Sequence, residues 1–156
     1  KFNFELSEAG IFTVITVVCA ATSSYLAGKI GDKYGHKNGM LLAYFGHLFA
    51  AIIAIYSWNM FGVYMIFIAI GVGQGAFMPS AMNLIYDFSS KNDAKTYMAL
   101  VDSILAPFVL FYLLLIGWLI KDGNYIASLN ILIGSLLVGS LLLIYLVHDP
   151  KKENLI

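Results

Sequence analysis

Five long apolar segments most constrain what this chain can fold into. They run roughly over residues 9–27, 39–58, 60–85, 97–120 and 125–147. A helix needs about 20 apolar residues to cross the ~30 Å hydrocarbon layer of a bilayer. Because lipid offers no partner to backbone N–H and C=O groups, segments of this length are expected to be helical. They do not alternate in polarity as β-barrel strands do. The sequence therefore predicts an all-α, polytopic transmembrane bundle with five spanning helices in one domain, 1–156.

The composition agrees with a lipid-embedded chain and excludes several function classes. Of 156 residues, 60% are hydrophobic and 12% are charged, whereas soluble domains carry about a quarter charged residues. The net charge is zero, so nothing indicates nucleic-acid binding. The single cysteine, Cys19, has no partner for a disulfide or a metal site. No nucleophile–base set or closely spaced carboxylate pair is evident. We therefore predict no enzyme activity, no cofactor and no metal.

The distribution of lysines predicts the orientation in the membrane. An odd number of spans places segments 28–38 and 86–96 and the C-terminal tail on one side. Of the nine lysines, only Lys1 and Lys121 fall on the other side. The positive-inside rule puts the lysine-rich side in the cytoplasm. We expect a multi-pass protein of the inner (plasma) membrane, with the N-terminus of this chain outside and its C-terminus cytoplasmic. Because the first residue is not Met, we also expect a further helix to precede it.

The segment between the first two spans, residues 28–38, concentrates charge and glycine, and we call it the charged segment. It holds three lysines, three glycines and one aspartate, Asp32. We expect a tight turn at the membrane surface. A negative charge is stabilised near a helix N-terminus, and the fourth span is predicted to begin on the same side, near residue 97. Asp32 is thus a candidate partner for that helix end. The alternative is a solvated turn that merely obeys the positive-inside rule.

The charged segment reads Gly28-x-x-x-Asp32-Lys33-x-Gly35-x-Lys37. This spacing resembles the signature loop of the major facilitator superfamily, which joins the second and third helices of each six-helix half. The resemblance implies that these five residues form a conformational gate. In that role the aspartate caps the fifth helix of its half in one conformation and releases it in another.

The rest of the chain resembles the same family. Gly71 to Gly75, followed by Pro79, is similar to the fourth helix of a half, and 97–107 is similar to the fifth. N-terminal halves often carry an arginine where Gly71 stands. Those of antiporters also have a Gly-Pro pair where this chain has Ala106-Pro107. Both departures favour the C-terminal half, so that the five spans correspond to helices eight to twelve of a twelve-helix fold.

The resemblance implies a secondary active transporter that moves a small solute by alternating access. Its partners would be the lipid bilayer, a small-molecule or ion substrate and the remaining helices of the transporter, with no nucleic acid. Because fold does not determine function, a non-transporting scaffold or assembly factor on the same fold remains an alternative. A transporter needs a polar, water-accessible cavity at mid-membrane, whereas a scaffold can pack that region without one.

Four polar side chains within the spans are candidates for coupling or substrate binding. Asp102 is an ionisable group inside an apolar segment, where such groups tend to be functional. The alternative is a carboxylate in the first turns of its helix, favoured by the helix dipole. Gln74 and Asn83 could contact substrate or join helices. His47 is either a proton relay or a hydrogen-bonded packing residue. His36 and His148 are placed at the aqueous boundary without a role.

Overall fold

The computed structural model describes residues 6–89, 93–121 and 123–148. Within these ranges the chain forms helices and short connections, with no strand. The helices are α1 (Leu6–Tyr34), α2 (His36–Tyr56), α3 (Met60–Phe88), α4 (Ala94–Lys121) and α5 (Tyr125–Leu146). All five are long and apolar enough to cross a membrane. The predicted all-α bundle with five spanning helices is confirmed.

Helix α3 packs against both α1 and α2, and small residues let the three backbones approach closely. A Cβ atom added to Gly46 of α2 would lie 2.8 Å from the Cα of Gly73 in α3. One added to Gly75 would lie 2.7 Å from the Cα of Ala20 in α1. Close contact through small residues is the usual way in which helices associate in lipid, where no hydrophobic effect drives them together. We call α1, α2 and α3 the three-helix unit.

Helices α4 and α5 make looser contacts with their neighbours than the helices of the three-helix unit make with one another. α5 lies against α2, and the Tyr112 hydroxyl of α4 is 3.3 Å from the Ser135 hydroxyl of α5. Among the described residues of α4, only Ala94 is buried. In a membrane, the remaining apolar surface of α4 is available to lipid or to further helices.

The helices extend beyond the boundaries expected from hydropathy. α1 continues to Tyr34, so the charged segment is helical except at Gly35. A glycine inside a helix costs only about 1 kcal/mol, and the charged side chains here can reach water. Gly35 has φ of 92°, a conformation that favours glycine, and the chain turns there into α2. At the other end of the chain, α4 begins at Ala94 rather than near residue 97.

Candidate functional site

A cavity of about 400 Å³ lies between α1 and α3. Its walls are Thr16, Val17, Ala20, Ala21 and Ser24 from α1, and Gln74, Gly75, Met78 and Pro79 from α3. Ala20 and Gln74 are the central residues of their helices. The cavity therefore lies at mid-depth in both helices, where the centre of the bilayer is expected.

The polar groups of this cavity are uncharged. The Thr16 hydroxyl donates a hydrogen bond to the Phe12 carbonyl oxygen at 2.9 Å, and the hydroxyl oxygen can still accept one. Gln74 is exposed, and its amide has no hydrogen-bond partner among the residues that the structure describes. An amide both donates and accepts. With Ser24, these side chains can hydrogen-bond an uncharged polar group, and no lining residue contributes a formal charge.

The other three candidates do not line this cavity. Asn83 is half-buried in the C-terminal half of α3. His47 lines a separate cavity of about 270 Å³, together with residues of α2, α3 and α5. Its Nδ1 atom is 2.9 Å from the Ala43 carbonyl oxygen, as expected for a hydrogen-bonded packing residue. The proton-relay role predicted as its alternative is untested.

Asp102 is exposed on α4. It lies eight residues beyond the first residue of the helix, which corresponds to about 12 Å at 1.5 Å per residue. Asp102 is three residues further from the start of its helix than expected, because α4 begins three residues earlier than the hydropathy pattern indicates. Within the described parts of the chain, no hydrogen bond or ion pair involves its carboxylate.

At the end of the bundle where α1 turns into α2, the charged segment contacts two other helices. The Nε2 atom of His36 lies 4.0 Å from Asp32 Oδ1 and 4.0 Å from Asp87 Oδ2 in the last turn of α3. Neither His36 nor Asp87 was expected from the sequence to have a role. The spacing of Asp32 and His36, four residues apart, could have indicated that they are neighbours. Nothing in the sequence indicates the approach of Asp87, because it depends on how α3 packs.

Lys37 joins the charged segment to α5. Its Nζ atom donates hydrogen bonds to the carbonyl oxygens of Ile144 and Val147, at 2.8 and 2.7 Å. These carbonyls belong to the C-terminal end of α5, where helix carbonyls lack intrahelical partners and a positive charge is favourable. The lysine therefore caps a helix that lies more than 100 residues away in sequence.

The remaining predicted gate residues have different environments. Lys33 lies over the Tyr34 ring, 5.0 Å from its centroid. A Cβ atom added to Gly28 would meet nothing within 4 Å, so close helix packing does not require glycine there. Nothing in the structure tests the predicted contact between Asp32 and the start of the fourth spanning helix, near residue 97. That contact stays a prediction.

Five spanning helices, close glycine contacts and a mid-depth cavity with three polar side chains in its lining are the features of a multi-pass membrane protein. A family model described as Major Facilitator Superfamily matches residues 1–156. The chain therefore belongs to the major facilitator superfamily, whose members are transporters rather than enzymes. The resemblance carried by the charged segment is confirmed. Comparisons with curated proteins and with solved structures found no match.

Proposed function

We propose that this chain is part of a secondary active transporter, in which the cavity between α1 and α3 forms one wall of the solute site. The observation that carries the proposal is a mid-depth cavity with a free amide, Gln74, on a chain of this family. Alternating access requires a site near the bilayer midplane that opens to either side. A scaffold on the same fold has no need for such a cavity.

The chemistry of the wall favours an uncharged polar part of the solute. Gln74, Thr16 and Ser24 offer hydrogen-bond donors and acceptors, while Met78 and Pro79 offer apolar contact. A charged group placed against this wall would lose its hydration without gaining a counter-ion from it. Any charge on the solute would therefore be met by other helices of the transporter.

The gate proposal concerns the charged segment. Asp32 at the N-terminus of α4 would favour one access state, because a charge at a helix end contributes about 0.3–1 kcal/mol, or up to ~2 kcal/mol when partly buried. Energies of this size bias two states without locking either. The cap of Lys37 on α5 supports the proposal, since it shows that this segment already holds the end of another helix.

Further helices of the same transporter are the proposed protein partners. The cavity around His47 and a third, apolar cleft of about 300 Å³ between α4 and α5 share one lining residue, Leu132. This apolar cleft, with the exposed surface of α4, would accept another spanning helix. We infer that the chain forms helices eight to twelve in an inner (plasma) membrane, with its C-terminus cytoplasmic.

A matched pair of variants tests the solute site. The protein, expressed from its own gene, is reconstituted into vesicles, and uptake of a panel of labelled small solutes is measured. For a transported solute, Gln74→Leu should raise the half-saturating concentration about two- to tenfold, the effect of one lost hydrogen bond. Asn130→Leu makes the same change in α5, outside the lining of this cavity, and should leave it unchanged.

Two outcomes would contradict the proposal. Absence of uptake for every solute in the panel, from a protein that is folded in the vesicles, would favour the scaffold alternative. If Gln74→Leu and Asn130→Leu changed uptake equally, the cavity between α1 and α3 would be excluded as part of the solute site.

A further inference from the structure

His36 is buried where α1, α2 and α3 meet, with 4% of its surface exposed. It is the first residue of α2, and its ring packs against Gly31, where a Cβ atom would collide with it. Its Nε2 atom is equidistant, at 4.0 Å, from carboxylate oxygens of Asp32 in α1 and Asp87 in α3. Among the described atoms, His36 Nδ1 and Asp87 Oδ2 are buried without a hydrogen bond. One imidazole therefore separates two carboxylates from different helices.

The charge of the imidazole decides whether this arrangement is favourable. A protonated ring is a cation at ion-pair distance from both carboxylates, and it attracts the ends of α1 and α3 towards α2. A neutral ring removes this attraction and leaves the partly buried Asp87 carboxylate without a counter-ion from His36, whereas the Asp32 side chain is 78% exposed to solvent. Histidine is the side chain whose charge ordinarily changes between about pH 5 and 8.

The other charged groups near this junction have contacts of their own. On α1, Lys29 and Lys33 lie over the rings of Tyr25 and Tyr34. On α2, Lys37 donates to carbonyls of α5.

The charged and titratable groups at the start of α4 and after the end of α5 are exposed. At the start of α4, Asp93 and Lys95 are exposed, as is His148 after the end of α5. Within the described residues, His36 is thus the titratable group that lies between the two carboxylates.

We infer that His36 is a pH sensor on the cytoplasmic face. When protonated, it bridges Asp32 and Asp87 and holds the charged segment against α3. When it loses the proton, this attraction is lost and the charged segment loosens from α3. This inference does not depend on the solute site, since it concerns the mobility of the segment itself.

Amide hydrogen exchange of residues 28–38 tests the inference in the protein expressed from its own gene and reconstituted into lipid nanodiscs. Exchange is measured at about pH 6 and about pH 8 and corrected for the intrinsic pH dependence of amide exchange. We expect protection to be about threefold or more higher at the lower pH, because the bridge opposes local opening. His36→Gln, neutral at both pH values, should abolish this difference. His148→Gln, which removes an exposed histidine, should retain it.

Asp87→Asn provides a second test that leaves the imidazole and its contact with Gly31 in place. It removes one of the two charges that the ring bridges, and it should also abolish the difference in protection. Equal protection of the unsubstituted protein at both pH values would overturn the inference. A difference that persists in either His36→Gln or Asp87→Asn would overturn it too.

Discussion

Asp102 carries its carboxylate into a spanning helix, whereas Asp32 and Asp87 lie at the end of the bundle beside a histidine. About 12 Å of helix separates Asp102 from the start of α4 by the standard rise per residue, and its side chain is exposed. In lipid, an ionised carboxylate without a partner is costly. Either a further helix covers it, or it exchanges a proton with a water-filled path.

The coupling role of Asp102 predicts a specific defect. In Asp102→Asn, proton-driven accumulation of a transported solute should fall to the level set by solute equilibration, because the side chain can no longer carry a proton. Downhill exchange of the same solute should continue. Asp93→Asn removes a carboxylate at the aqueous start of the same helix and should preserve accumulation. Full proton-driven accumulation by the Asp102 variant would exclude this role.

The gate role of Asp32 predicts a defect in rate rather than in folding. Asp32→Asn should slow solute uptake about twofold to thirtyfold, the range that follows from a helix-end charge interaction of 0.3–2 kcal/mol. The variant should remain monodisperse in detergent. Lys29→Gln serves as the control, because Lys29 lies over the Tyr25 ring and outside the proposed gate. Unchanged uptake in the Asp32 variant would show that the segment is only a solvated helix end.

At the scale of the helices, the three-helix unit is held together by close backbone contacts at glycines, which have no side chain to keep the helices apart. Gly46 and Gly73 bring α2 against α3, and Gly75 brings α1 against the other side of α3. The Ser23 hydroxyl of α1 adds a hydrogen bond to the Val72 carbonyl oxygen of α3, at 2.7 Å. Bonds of this kind contribute modestly in membranes. We therefore expect close backbone packing to dominate the stability of this unit.

Gly46→Ala tests this expectation at the contact between α2 and α3. The added methyl group would lie 2.7 Å from the Gly73 nitrogen, so the helices must separate, and overpacking of this kind costs about 1–3 kcal/mol. The thermal unfolding midpoint in detergent should fall. Gly134→Ala in α5, where a Cβ atom meets nothing within 4 Å, should leave the midpoint unchanged or slightly higher. Equal midpoints for the two variants would refute the assignment.

At the scale of the whole molecule, packing is unequal along the chain. α1, α2 and α3 pack closely on one another, while α4 and α5 make looser contacts and α4 presents a long apolar surface. The charged segment connects the two parts at one end of the bundle, since Lys37 reaches from α2 to the end of α5. The proposed orientation places that end in the cytoplasm.

Chemical labelling of single cysteines tests the orientation. Two variants are made in a Cys19→Ser background, Lys33→Cys and Lys121→Cys. Their exposed thiols lie at opposite ends of the bundle. A membrane-impermeant maleimide added to intact cells should label the variant at position 121, and it should label the variant at position 33 only in inverted vesicles. The reverse pattern would invert the proposed topology and place the His36 junction outside the cytoplasm.

Hydropathy and one short motif were enough to predict the five spanning helices and the family. Segment length sets whether a helix can cross lipid, and the obligation to pair backbone groups excludes other structures. The charged segment was predicted as a turn, yet residues 28–34 continue α1, because hydropathy reports where lipid ends and not where a helix ends. Only the packing of the helices places Asp87 near His36, Lys37 against the end of α5, and Gln74 in the cavity lined by α1. These contacts depend on how each helix is rotated and how deep it lies relative to its neighbours. The apolar composition of a spanning segment does not determine either quantity.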